Sequence, residues 1–214
     1  MSDTLVVNEI YLSLQGESTF AGLPCVFVRL TACNLRCSYC DTAYAFTEGK
    51  KKSLEEVRSE VKRLAQPYMH SKFQIPNSKL PLVELTGGEP LLQKNSLPLM
   101  KQLCDDGLTV LLETSGALDI SPVDPRVRRI MDLKCPSSGE VERNRIENIT
   151  HLKATDEMSC APLVSSNTVK PLSQSRFISG REFFWSNGSP PVSSTKGTEL
   201  RVEPSPLRFA APRG

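Results

Sequence analysis

The sequence predicts an α/β protein built from parallel β/α units. Three observations carry this. Short apolar runs alternate with helical patterns over residues 5–133. Almost every run stops in a polar or glycine-rich loop. The 214 residues are also enough to bury a core without disulfides or metals.

The first run, Leu5 to Leu12, reads as a strand that feeds the loop "SLQGES". The second, Cys25 to Leu30, is continuously apolar and reads as a buried strand delivering the chain into a cysteine-rich loop. "GKKK" at Gly49–Lys52 reads as a solvated lead-in to a helix. Ser53 with Glu56 three residues later is a capping box, and Leu54, Val57, Val61 and Leu64 recur at helical spacing behind it. Leu82–Leu85 is a short strand ending in two glycines. "SLPLMKQLCDDG" is a helix with Leu97, Met100, Leu103 and Cys104 inward and Gly107 as its stop. "LTVLLETSG" and "RRIMDLKCPSSG" each read as a strand closed by a small polar loop. In parallel β/α folds, ligand loops gather at the C-terminal ends of strands. Five strand ends qualify: Gln15–Glu17, the cysteine loop, Thr86–Pro90, Glu113–Gly116 and Lys134–Gly139. If the strands lie side by side, these loops share one mouth.

Composition excludes several classes of function. A net charge of +2 without a dense Lys/Arg block gives no sign of nucleic-acid binding. No apolar run approaches the roughly 18 residues of a membrane span, and no charged-then-apolar leader opens the chain, so a cytoplasmic protein is expected. In that reducing setting the glycosylation triplets at Asn148 and Asn187 carry no meaning. The odd total of seven cysteines there favours metal binding or catalysis over disulfides. Cys25, Cys104 and Cys135 read as small core or near-core residues, and Cys160 takes no role. His70 and His151 read as surface or satisfied residues.

The loop "TACNLRCSYCDT" sets Cys33, Cys37 and Cys40 in a C-x3-C-x2-C spacing. Structural zinc takes four ligands, usually as two spaced pairs, and no second pair is present. Most iron–sulfur clusters also take four cysteines, so three thiolates suit a four-iron cluster with one iron open to a ligand. "TGGEP" at Thr86–Pro90 is either a tight turn or a place where backbone approaches a ligand closely.

Together the two motifs resemble the radical S-adenosylmethionine enzymes. "SLQGES", Thr42 after "CD", "DLKCPSSG" and the stretch "LKCPSSGEVERNRIENITHLK" further resemble the 7-carboxy-7-deazaguanine synthase family, from about Val6 to Asp156. The resemblance implies an incomplete (β/α) barrel of the radical S-adenosylmethionine type, usually dimeric. It implies conversion of 6-carboxy-5,6,7,8-tetrahydropterin to 7-carboxy-7-deazaguanine with loss of ammonia, on the route to queuosine and other 7-deazapurines. Cys33, Cys37 and Cys40 would hold a [4Fe-4S] cluster whose open iron takes S-adenosylmethionine, source of a 5′-deoxyadenosyl radical. Tyr39 would pack on adenine. Cys40, Asp41, Gly88, Glu89, Ser115, Lys134, Pro136, Ser137 and Ser138 would complete the S-adenosylmethionine site. Thr42 would bind Mg2+. Leu14, Gln15, Gly16, Glu17, Arg29 and Thr86 would contact the pterin, with Arg29 on its carboxylate. A donor such as flavodoxin would supply electrons. Plainer readings stay open at three places: Arg29 as a paired structural arginine, Gln15–Glu17 as an ordinary turn, and Thr42 as a cap. A glycyl-radical activase is the competing enzyme of the same superfamily.

Residues 157–214 turn Ser/Pro-rich and lose apolar periodicity, which predicts a disordered tail after a domain of residues 1–156. A shifted reading frame or alternative exon would give such text. It would leave a sheet edge uncovered and a catalytically impaired isoform.

Overall fold

The computed structural model describes residues 3–68 and 81–160. Strands β1 (Thr4–Leu14) and β2 (Pro24–Leu30) pair antiparallel, and β3 (Lys50–Ser53) pairs antiparallel with the outer edge of β1. Helix α1 (Leu54–Ala65) follows, then β4 (Leu82–Thr86), helix α2 (Ser96–Asp105), β5 (Thr109–Thr114), β6 (Arg128–Leu133) and β7 (Glu157–Cys160). The sheet order is β3-β1-β2-β4-β5-β6-β7, and every pair from β2 to β7 is parallel. This is the open, unclosed sheet expected of an incomplete barrel.

The strands sort their side chains with period two. On the outer face Val26, Val28, Leu30, Val83, Leu85, Val110 and Leu112 pack on Val57 and Val61 of α1 and Leu99, Met100 and Leu103 of α2. The inner face carries a smaller cluster of Phe20, Cys25, Phe27, Leu82, Leu111 and Ile130. Burial on both faces explains why these strands read as unbroken apolar runs. In β1 the register shifts between Val7 and Glu9. That irregularity lets Leu5 and Val7, then Ile10 and Leu12, all serve the outer core. Glu9 and Tyr11 are left on the inner face beside Arg29.

Local signals match their elements. Ser53 accepts the Glu56 amide and Glu56 accepts the Ser53 amide, so the capping box is complete. Gly107, at φ +78°, follows the end of α2 in the left-handed conformation. On α2, Leu99 is fully buried with Met100 and Leu103, while Leu97 and Cys104 are only partly covered.

Four expectations need correction. The "KKK" segment is not a lead-in to the helix but the edge strand β3, whose first lysines are exposed. Lysines at an edge oppose further strand pairing. The tail does not begin at residue 157, because Glu157–Cys160 is β7, in register with Ile130–Leu133. Its entry is fixed by a buried ion pair: Asp156 accepts both the amide and the guanidinium of Arg129. The first strand runs from Thr4 to Leu14, not Leu5 to Leu12. Finally, β1 is antiparallel to its neighbour, so its C-terminal loop starts from the opposite end of the sheet to the other four loops. His70 and residues 161–214 lie outside the described residues.

Candidate active site

A cavity of about 540 Å³ opens on the inner face of the sheet. Cys33, Cys37, Tyr39, Cys40, Asp41 and Thr42 line one wall. Arg29, Thr86, Gly87, Gly88, Glu113, Ser115, Asp132 and Lys134 come from the strand ends, and Gln15–Glu17 come from the β1–β2 loop. The five predicted loops therefore meet, but by two routes. Four approach from the C-terminal ends of the parallel strands. The fifth folds across the inner face from below: Gln15 donates to the buried Glu84, and Phe20 enters the inner apolar cluster.

The cysteine loop owes its shape to distant partners. Gly88 lies against Ala32; a Cβ on Gly88 would fall 1.9 Å from the Ala32 carbonyl oxygen, and the Glu89 amide donates to that same oxygen at 2.8 Å. A Cβ on Gly87 would meet Arg29 and the Leu30 backbone. The two glycines are therefore required where the β4 loop docks on the end of β2. On the other side the Ser38 amide donates to the Ser138 carbonyl at 2.9 Å, and its hydroxyl donates to the Ser137 carbonyl at 2.6 Å. Glu140 accepts the Arg36 amide, and the Arg36 guanidinium stacks over Phe46. Ser137 and Ser138 act in this clamp, and neither they nor Pro136 line the cavity.

Cys33, Cys37 and Cys40 are free thiols on the cavity wall, and Cys33 Sγ accepts the Leu35 amide. Burial pushes the Cys33 and Cys37 thiols up from their ordinary range. Among the described residues no three His, Cys, Asp or Glu side chains are gathered closely enough to hold a metal ion. The donor set nevertheless fits an iron–sulfur cluster: three thiols of one loop, on one cavity, with an amide already aimed at sulfur.

Glu89 is fully buried beneath the cavity. Its carboxylate accepts the Thr114 hydroxyl and the amide and hydroxyl of Ser115, so it fixes the β5 loop from below. Lys134 pairs with Asp132, its backbone is bracketed by Asn144, and its ammonium stands 6.0 Å from the Tyr39 ring. Burial opposes the Lys134 charge, yet Asp132 outweighs that and leaves the ammonium harder to deprotonate than usual. The Thr42 hydroxyl bonds Asp41 at 2.7 Å and caps no backbone group. Leu14 is 61% exposed and stands outside the cavity. His151 is exposed.

Arg29 and Thr86 stand opposite one another in register, and Glu9 faces Arg29. Arg29 Nε donates to Glu9 at 2.8 Å and Nη2 to the Tyr11 hydroxyl at 2.8 Å. It is thus a paired arginine and also a cavity residue. Thr86 donates to Glu113. Sequence reasoning missed Glu9, Glu84 and Asp132, and it placed Glu113 in a candidate loop without giving it a role of its own. Of the four, Glu9 lies on β1. The other three sit at inner-face positions of apolar strands, and that break in apolar character was the available signal.

Glu84 lies far from ordinary carboxylate behaviour. Burial, then the neighbouring Glu113 carboxylate, pushes its pKa up to about 9. Glu17 shifts in the same direction, by burial and then Glu113. The folded state thus holds a Glu84 proton that the unfolded chain releases near its ordinary pKa of 4.5. Stability is expected to fall as pH rises between about 4.5 and 9, and to level off above that. Thermal melts of wild type and Glu84→Gln across this range check it: the wild-type midpoint should fall with pH more steeply than that of the variant. Parallel curves would mean that Glu84 titrates normally.

A family profile described as the Radical SAM superfamily matches residues 28–137. The 7-carboxy-7-deazaguanine synthase of Koribacter versatilis is 49% identical over 71% of this chain and 62% of its own length. That of Chlorobaculum tepidum is 46% identical over 68% of this chain and 60% of its own, and that of Thermoplasma acidophilum 36% identical over 71% and 67%. The chain thus spans about six-tenths of the length of the first two relatives. A crystal structure of QueE from Escherichia coli aligns with a TM-score of 0.52 at 25% identity, over 69% of this chain and 75% of that one.

Proposed function

We propose that this chain, which belongs to the Radical SAM superfamily and within it to the 7-carboxy-7-deazaguanine synthases, converts 6-carboxy-5,6,7,8-tetrahydropterin to 7-carboxy-7-deazaguanine with loss of ammonia. The observation that carries the reading is the single cavity on which the three-cysteine loop and the Arg29–Thr86–Glu113 row both open. When bound, a [4Fe-4S] cluster with S-adenosylmethionine supplies a 5′-deoxyadenosyl radical at that wall. Cys33, Cys37 and Cys40 would hold the cluster. Tyr39, Asp41, Gly88, Ser115 and Lys134, which line the cavity, would contact S-adenosylmethionine, and Glu89 would act by fixing Ser115.

Arg29 keeps Nη1 free of any described partner, and a guanidinium edge suits a substrate carboxylate. Glu17 and Glu113 are acceptors for the N–H donors of an aminopyrimidinone ring. Gln15 closes the floor. Thr42 and Asp41 offer oxygen donors of the kind Mg2+ takes, together with substrate oxygens and water. No described helix is long and apolar enough to cross a membrane. The family resemblance implies a cytoplasmic enzyme served by a flavodoxin-type donor. A homodimer follows the family pattern.

A second reading, an impaired member of the family, rests on the Ser/Pro-rich text after residue 160. Anaerobic turnover separates the two. Protein reconstituted with iron and sulfide is given reductant, S-adenosylmethionine, Mg2+ and the carboxytetrahydropterin, and product is followed by mass. Formation of the deazaguanine establishes the activity. An assembled cluster with cofactor cleavage but no deazaguanine favours the impaired reading.

A further inference from the structure

We propose that Glu157 is a positioning residue that holds the Gln15–Glu17 stretch against the cavity. The proposal rests on the reading above, in which that stretch meets the substrate. The β1–β2 loop leaves the sheet at Leu14 and returns at Pro24, and in between it spans the inner face. Its near end is fixed by Gln15, which donates to Glu84 while its side-chain oxygen accepts the Glu17 amide at 3.0 Å. Its far end is fixed by Glu157, the first residue of β7. The Glu157 carboxylate accepts the Thr19 amide, at 3.2 and 3.1 Å to its two oxygens, and also the Thr19 hydroxyl. Glu157 is only 5% exposed, so a carboxylate held in the fold, which costs least when it is hydrogen-bonded, meets the exposed Thr19 at the rim.

The geometry between the anchors is one the loop does not adopt without help. Ser18 sits at φ +63°, in the left-handed region, and its hydroxyl accepts the Phe20 amide. Phe20 then packs into the inner apolar cluster under the Arg128 guanidinium. Without Glu157, the Thr19 amide and hydroxyl lose their acceptor in the fold, and the left-handed turn at Ser18 loses its outer tether. Glu17, two residues away, faces the cavity only while both ends are held. Glu157 itself does not line the cavity, so its influence on a bound molecule passes through the loop.

The test combines amide exchange with equilibrium binding on the reconstituted protein under anaerobic conditions. Glu157→Ala is expected to speed exchange about tenfold or more in the peptide covering residues 13–23, with β4 and β5 unchanged. Carboxytetrahydropterin affinity should fall about tenfold, while S-adenosylmethionine affinity stays within about twofold. Glu157→Gln, which keeps one oxygen acceptor, should fall in between. Thr19→Val removes the hydroxyl donor from the loop side without touching β7 and should shift both readouts in the same direction.

Unchanged loop exchange in Glu157→Ala would overturn the proposal. So would faster exchange spread evenly over β4 and β5, or an equal loss of both affinities. If the wild type binds no carboxytetrahydropterin, the substrate reading fails. The loop exchange of Glu157→Ala then still decides the role of Glu157.

Discussion

Gly88→Ala is expected to cost about 3 kcal/mol or more and to abolish iron retention in the same step. The new methyl would lie 1.9 Å from the Ala32 carbonyl oxygen, and its nearest neighbours are backbone atoms of Ala32, which have no rotamer to move into. Gly88 also sits at φ +33° and Ala32 at φ +77°, so both sides of the contact are already in conformations that resist adjustment. Relief requires pushing Ala32 away, and Ala32 immediately precedes Cys33. The prediction is therefore specific. Urea melts should show the loss of stability, and iron and acid-labile sulfide content after reconstitution should drop with it. Gly139→Ala is the control, because a Cβ there meets nothing within 4 Å and only the φ of +75° is penalised. Its cost should stay near 1 kcal/mol, with iron retained. If Gly88→Ala keeps full iron content, the docking of the two loops does not govern the cysteine loop.

The second large effect is at the cysteines. Replacing any one of Cys33, Cys37 or Cys40 by Ala should remove the iron-linked absorption and lower turnover by at least about a thousandfold. Stability of the apo-protein should change by under about 1 kcal/mol, since the three thiols are not core residues. Cys25→Ala gives the opposite pattern. Cys25 is fully buried in the inner apolar cluster, so that variant should lose about 1–2 kcal/mol and keep its iron. An iron-loaded Cys37→Ala with ordinary turnover would remove that cysteine from the ligand set.

What was legible in the sequence was what local patterning encodes. Short unbroken apolar runs located β2, β4, β5 and β6, 3.6-residue repeats located both helices, and the Ser53–Glu56 pair marked the start of α1 to the residue. The cysteine spacing and the glycine pair were legible because the chemistry needs them close together in the chain. Three things were not legible. The lysine run forms β3 only because β1 offers a free edge, and a partner 43 or more residues away leaves no mark on "KKK" itself. The β1–β2 hairpin reverses one strand in an otherwise parallel set, so its loop reaches the cavity from the opposite end. Glu84 and Glu113 gained a shared place only when the register of β2, β4 and β5 brought them to one inner face. Each of these depends on which strands are neighbours, information that resides in tertiary pairing.

The clamp between Ser38 and the Ser137–Ser138 carbonyls has a consequence in time as well as in space. The two sides of that clamp are 99 residues apart in the chain. At translation rates of about 5–20 residues per second, the three cysteines leave the ribosome roughly 5–20 s before the segment that fixes their loop exists. Throughout that interval they are unshaped thiols, open to oxidation or to the wrong metal. A nascent chain of this protein therefore gains from delayed metal delivery, and cells short of reducing power should damage it during synthesis more than after it.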